Sequence, residues 1–87
     1  MDELEATEWY RKAADLGYAE AQNRLGMQYG NGYGVKKDSF EAVKWYQLAA
    51  EQGLALAQYN LGTMYDYGEG VEQNFATALY WYTKASQ

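Results

Sequence analysis

At 87 residues with no cysteine and no histidine, the chain lacks the disulfides or Cys/His zinc site that brace many small domains, so its stability must come from packing alone. Twelve acidic and seven basic residues give a net charge of −5, and the only basic pairs, Arg11-Lys12 and Lys36-Lys37, have acids nearby. Nucleic acid and anionic membrane surfaces both select clustered cations, so neither fits as a partner. Apolar residues are interrupted by polar ones throughout, which excludes membrane insertion by a spanning segment. The acidic start Met1-Asp2-Glu3-Leu4-Glu5 lacks the plan of a signal peptide. Absence of cysteine suits the cytoplasm, the periplasm and the exterior alike, so localisation stays open.

The chain aligns with itself at an offset of 36 residues, where 21 of 51 pairs are identical. Among them are Trp9, Trp45 and Trp81, and likewise Tyr10, Tyr46 and Tyr82. That frequency marks a true internal repeat, which decides the architecture before any single element does.

The first predicted helix, near residues 3–16, carries Ala6, Trp9, Tyr10, Ala13 and Ala14 on one face. Asp2 and Glu5 have capping-box spacing before it, and Gly17 suits the left-handed position that ends it. A second helix, near 19–30, places Ala21, Leu25 and Tyr29 four residues apart. Gly26 lies inside it at a propensity cost of about 1 kcal/mol, a cost that close approach of a bulky Trp or Tyr would explain. Gly30-Asn31-Gly32-Tyr33-Gly34 forms the loop back. The third helix, near 39–52, repeats the first face with Ala42, Trp45, Tyr46, Ala49 and Ala50, opened by Asp38 with Glu41 and closed by Gly53. The fourth, near 55–66, repeats the second with Ala57, Leu61 and Tyr65, and with Gly62 inside it. After the loop Tyr67-Gly68-Glu69-Gly70, Asn74 starts a fifth helix near 75–86 bearing Ala78, Trp81, Tyr82 and Ala85. The expected fold is all-α, an α-α superhelix: a solenoid of antiparallel helix hairpins in which each unit covers its neighbour's apolar face.

Four features invite a chemical reading, and each has a stronger structural one. A phosphate-cradling loop needs a strand before it and a helix N-terminus after it, whereas a helix precedes Gly30-x-Gly32-x-Gly34, and Gly68 and Gly70 repeat the pair in phase. The recurring Trp-Tyr pairs fall on the packing face rather than on a sugar or cofactor platform, with Trp81-Tyr82 expected to lie partly exposed. Asp66, Glu69 and Glu72 fall short of the six to eight oxygens a calcium site takes. Ser39 has only Lys36 or Lys37 as a nearby base, which leaves no nucleophilic constellation, and it suits a helix start instead. The residues therefore imply no catalytic, cofactor-binding or metal-binding set.

The pattern Ala-x-x-x-Leu-Gly-x-x-Tyr, then Gly-x-Gly-Val, then Ala-x-x-Trp-Tyr-x-x-Ala-Ala-x-x-Gly runs through Ala21, Leu25, Gly26, Tyr29, Gly32, Gly34, Val35, Ala42, Trp45, Tyr46, Ala49, Ala50 and Gly53. It resembles the Sel-one-like repeat, a relative of the tetratricopeptide repeat. Ala57 through Tyr82 repeat it and Ala6 through Gly17 carry its tail, so the likeness spans nearly the whole chain. The resemblance implies a right-handed superhelix. It also implies an adaptor role, as in members that serve bacterial signalling, host interaction and the degradation of misfolded secretory proteins. The family's cysteine-rich branch has bridged hairpins and a proposed affinity for penicillin-like compounds. This chain has no cysteine, so neither property carries over.

In tetratricopeptide-like hairpins the first helix of each pair lines the concave groove. On that helix, residues fixed between units serve packing and residues that differ are free for a ligand. Matched to Leu25-Gly26-Tyr29, the groove set becomes Glu20, Asn23, Met27 and Gly30, followed by Leu56, Tyr59, Thr63 and Asp66 in the next unit. An Asn, a Met and a Tyr suit an extended peptide, the amide gripping backbone and the others packing side chains. The competing expectation is an ordinary solvated face. A protein or peptide partner is the expectation for the groove, self-association through the terminal helices is the alternative, and a hydrolase acting through Ser39 on a cell-wall-like ligand is the weakest rival.

The repeat phase divides residues 1–87, a single domain, into a partial repeat at 2–17 and hairpin units near 18–53 and 54–87. Because Asp2 stands in the phase of Asp38, the chain is expected to begin at a repeat's second helix and to end just after another. Its last helix keeps Leu79, Tyr80, Trp81 and Tyr82 with nothing following to cover them. A piece of a longer array, or a short design, is the expectation, and the 30 mismatched pairs argue against a pure consensus design.

Overall fold

The fold is that of a computed structural model, which describes residues 3–87. Among the described residues there are five α-helices and no strand: α1 (Glu3–Asp15), α2 (Ala19–Asn31), α3 (Ser39–Glu51), α4 (Ala55–Tyr67) and α5 (Phe75–Ala85). Every boundary falls within one residue of the range expected from the hydrophobic pattern. Substantial helix contacts join chain neighbours only, with α2 on α3 and α4 on α5 the most extensive, followed by α1 on α2 and α3 on α4. The result is an elongated body of 37 × 23 × 16 Å, stacked side by side as a solenoid requires.

The helix starts owe much to side-chain caps. Asp38 Oδ1 accepts a hydrogen bond from the Glu41 backbone N–H at 3.1 Å, and Asn74 Oδ1 accepts one from Thr77 N–H at 3.0 Å. Each satisfies an amide that has no partner within its own helix. The Asp2–Glu5 cap lies outside the described residues. Gly17 and Gly53, at φ +95° and +91°, turn the chain between α1 and α2 and between α3 and α4. Gly32 and Gly68 close α2 and α4 in the left-handed conformation. Beyond them, Gly70 at φ +71° passes so close to α3 that a Cβ there would stand 2.3 Å from the Ser39 carbonyl oxygen. The glycine pairs are thus backbone devices, while Gly30 belongs to the last turn of α2 rather than to the loop.

Large residues mesh with small ones at the helix crossings. Leu25 and Leu61 are fully buried; Ala14 and Ala21 of α1 and α2 pack with Leu25, and alanines of α3 and α4 pack with Leu61. A Cβ on Gly26 would stand 2.7 Å from Cδ1 and Cε1 of Tyr46, and one on Gly62 would stand 2.8 Å from the same atoms of Tyr82. Both helical glycines are therefore required by the tyrosine of the partner helix.

The tryptophans correct one expectation. Trp81 is buried at 9% exposure and Tyr82 is half-buried, whereas Trp9 is 60% exposed. Trp45 and Trp81 pack backward along the chain: Trp45 sits among Ala14, Ala21 and Leu25, and Trp81 joins the cluster that holds Ala50, Ala57 and Leu61. Trp9 has no such hairpin beneath it. Leu79 and Tyr80, at 65% and 53% exposed, are the open apolar residues of α5.

Candidate functional site

The helices α2 and α4 carry all the residues expected to line a groove, and they do so in three separate environments. Tyr59, Thr63 and Asp66 come together around Tyr82 of α5. Tyr82 O–H reaches Asp66 Oδ2 at 3.1 Å and Thr63 Oγ1 at 3.4 Å, and the Tyr59 and Tyr82 rings are tilted against each other with centroids 5.5 Å apart. Thr63 donates its own proton to the Tyr59 carbonyl at 3.1 Å, so toward Tyr82 it is an acceptor, and the Tyr82 O–H is shared between Thr63 and the nearer carboxylate. Burial first, and then the hydrogen bond and charge of Asp66, raise the Tyr82 phenol above its ordinary range, while Thr63 opposes the shift. In the preceding unit Tyr46 is buried, and desolvation pushes its phenol up to about 12. Both tyrosines stay neutral at physiological pH.

Asn23 departs from its expected role. It is 4% exposed, its Oδ1 accepts from Asn60 Nδ2 at 3.0 Å, and its own Nδ2 points to Met27 Sδ at 3.9 Å. The amide is therefore engaged in a strut between α2 and α4, and its burial keeps it from gripping a peptide backbone. Met27 is half-buried against the main cluster. Gly30 lies beneath the Tyr46 hydroxyl, at the position that Asp66 occupies in the next unit.

Glu20 lies apart from these. It opens onto a concavity of about 880 Å³ at the α1 end, lined also by Trp9, Tyr10, Tyr18, Arg24 and Leu54. Leu56, 66% exposed, stands on the first turn of α4.

Three contributors escaped the sequence. Gln22 and Gln58 are buried, and each donates to the last turn of the preceding helix, at Ala14 O and Ala50 O, both at 3.2 Å. Each adds a second hydrogen bond to a helix-end carbonyl that already accepts from the Gly17 or Gly53 backbone N–H. Their identity at the repeat offset was the available signal. Asn60, the partner of Asn23, differs from Arg24 at its phase and gave no signal.

The residues weighed for other chemistries take ordinary structural positions. Trp45 and Trp81 are core residues. Ser39 opens α3, with Lys36 and Lys37 exposed in the loop before it. Among the described residues no group of three or more His, Cys, Asp or Glu side chains is placed to hold a metal ion, and no helix is long and apolar enough to cross a membrane.

Comparison with known proteins gives a consistent result. The Sel1 repeat model matches residues 2–18, 19–54 and 55–87. Among solved structures, the chain is similar to c5321, a protective antigen of uropathogenic Escherichia coli strains with an SLR fold, at 46% identity and a TM-score of 0.96 over 98% of this chain. It is similar to a Sel1 repeat protein from Oxalobacter formigenes at 44% identity and TM-score 0.93, again over 98% of this chain. Helicobacter pylori cysteine rich protein B matches at 28% identity and TM-score 0.93 over 99% of it. The chain spans 18%, 35% and 65% of those three proteins in turn. No curated protein matches. With the in-phase Leu-Gly and Trp-Tyr packing in place and the repeat model matched almost end to end, the chain belongs to the Sel1 repeat family.

Proposed function

We propose that this chain is an adaptor module that holds a protein or peptide partner along the face formed by α2 and α4. Sel1 repeats are in general protein–protein interaction modules and typically not enzymes. The supporting observation is the outer face of α4. Leu56 and Tyr59, 66% and 56% exposed, stand on one face of the helix with Thr63 and Asp66. Exposed large apolar side chains beside fixed polar groups are the ordinary composition of a recognition surface. All four positions differ from their counterparts one repeat earlier, while Ala57, Gln58, Leu61, Gly62 and Tyr65 repeat Ala21, Gln22, Leu25, Gly26 and Tyr29.

The test is selection of extended peptides on the immobilised full chain, with the bound face mapped by amide chemical shifts. Binders are expected to perturb α2 and α4, and the double variant Leu56→Ala, Tyr59→Ala is expected to lose them with an unchanged melting curve. Binders that map elsewhere, or that survive the double variant, would remove the assignment.

The alternative is self-association through the end faces, favoured by the exposure of Trp9 at one end and of Leu79 and Tyr80 at the other. Because Trp81 is buried, the appropriate probes are Trp9→Glu and Leu79→Glu. Sedimentation across concentrations separates the two: a dimer abolished by either change supports self-association.

A further inference from the structure

We infer that Tyr59, Tyr82 and Asp66 form a seat for the guanidinium of an arginine on the partner peptide. The inference rests on the groove proposal above and names the chemistry that the groove would select.

Three observations carry it. The first is geometric. The Tyr59 ring is 56% exposed and tilted on Tyr82, whose hydroxyl holds one oxygen of Asp66 at 3.1 Å. An aromatic face and an oriented carboxylate thus share one neighbour on one side of α4. A planar guanidinium can stack on the ring and donate to the carboxylate together, which an ammonium does less well.

The second is charge. Helix α4 contains no Lys or Arg, and no cation among the described residues pairs with Asp66. Other rings of this molecule already carry their own cation: Lys12 stands over Trp9 at 5.4 Å, Lys44 over Trp45 at 5.1 Å, Lys84 over Tyr80 at 5.5 Å and Arg11 over Tyr29 at 5.7 Å. Tyr59 has none of these. Glu69 and Glu72 follow in the adjoining loop and the chain as a whole is at −5, so an approaching cation is favoured and an acidic peptide is opposed.

The third is an internal comparison. One repeat earlier the equivalents of Tyr59, Thr63 and Asp66 are Asn23, Met27 and Gly30, with no carboxylate and no exposed ring. The same scaffold therefore presents the seat at one position only.

The test titrates the full chain with three blocked tripeptides, Gly-Arg-Gly, Gly-citrulline-Gly and Gly-Glu-Gly, and follows amide shifts. Citrulline keeps the shape of arginine and removes its charge. Saturable shifts at residues 59–66 with the arginine peptide are expected. So is a loss of affinity of about fivefold or more with citrulline, from removing one exposed ion pair and one cation–π contact. Asp66→Asn and Tyr59→Leu should each reproduce that loss with unchanged helicity. Equal binding of the arginine and citrulline peptides overturns the seat, as does absence of shifts at tens of millimolar. If selected peptides still occupy α2 and α4 without any preference for arginine, the groove stands and only the seat falls. If no selected peptide maps to that face, the groove proposal fails itself.

Discussion

Tyr46 lies on Gly26 so closely that a methyl group at that position would stand 2.7 Å from two of its ring carbons. Tyr82 repeats the relationship on Gly62 at 2.8 Å. A single side-chain–backbone contact, used twice, sets how near the two helices of each hairpin come. It joins a residue with almost no helix propensity to one of the largest side chains in the core.

Gly26→Ala should therefore destabilise the fold, although alanine is the better helix former by about 1 kcal/mol. Forcing a methyl group into a filled contact costs typically about 1–3 kcal/mol, and the neighbour that must move is a rigid buried ring. Urea denaturation should show a lower midpoint for Gly26→Ala and recovery in Gly26→Ala, Tyr46→Leu. A single variant more stable than the parent would mean that the helices separate freely there.

The helices were legible because the repeat writes each of them more than once. Trp9, Trp45 and Trp81 share a face with Ala13, Ala49 and Ala85, so periodicity located the apolar stripe within a residue or two. What periodicity cannot state is the direction in which that stripe faces along the stack. Trp45 and Trp81 each pack against the two helices before their own, so burial falls on Trp81 while Trp9 is exposed, the reverse of the expectation.

That asymmetry gives a second prediction. Trp45→Ala should cost roughly 3–5 kcal/mol, as a large buried ring replaced by a methyl group. Trp9→Ala should fall within about 0.5 kcal/mol of the parent, in the range of ordinary surface changes. Thermal melts of the two variants decide the matter, and equal losses would show that Trp9 is packed as deeply as its counterparts.

Alkaline pH supplies a third. The Tyr46 phenol is pushed up to about 12 by burial, from 10.0 in the exposed state. Between these values the folded chain keeps its proton and the unfolded chain releases it, so stability falls as pH rises. The contribution is complete below pH 10 and is lost as pH climbs through about 12. Urea midpoints measured across that window should drop more steeply for the parent than for Tyr46→Phe, which has no proton to lose. Parallel slopes would place Tyr46 in contact with water.

The surroundings of the candidate groove residues were only partly legible, and Asn23 shows why. A residue that differs between repeats was taken to be free of packing duties, yet Asn23 is buried because Asn60 of the next unit bonds to it at 3.0 Å. Sequence variation between units marks a departure from the shared frame, and a contact between two particular units departs from it as much as a binding residue does. If Asn23 and Asn60 act as a strut, Asn23→Ala and Asn60→Ala will each destabilise by about 0.5–1.5 kcal/mol, the net worth of a hydrogen bond between neutral groups. The double variant will then lose less than the sum of the two, with a coupling of about 0.5 kcal/mol or more. Partner binding at Tyr59 and Asp66 should survive Asn23→Ala at temperatures where the variant is folded, because those two residues are held by Tyr82 and not by Asn23. Strict additivity of the two losses would dissolve the strut, and failure of folded Asn23→Ala to bind would return its amide to the recognition surface.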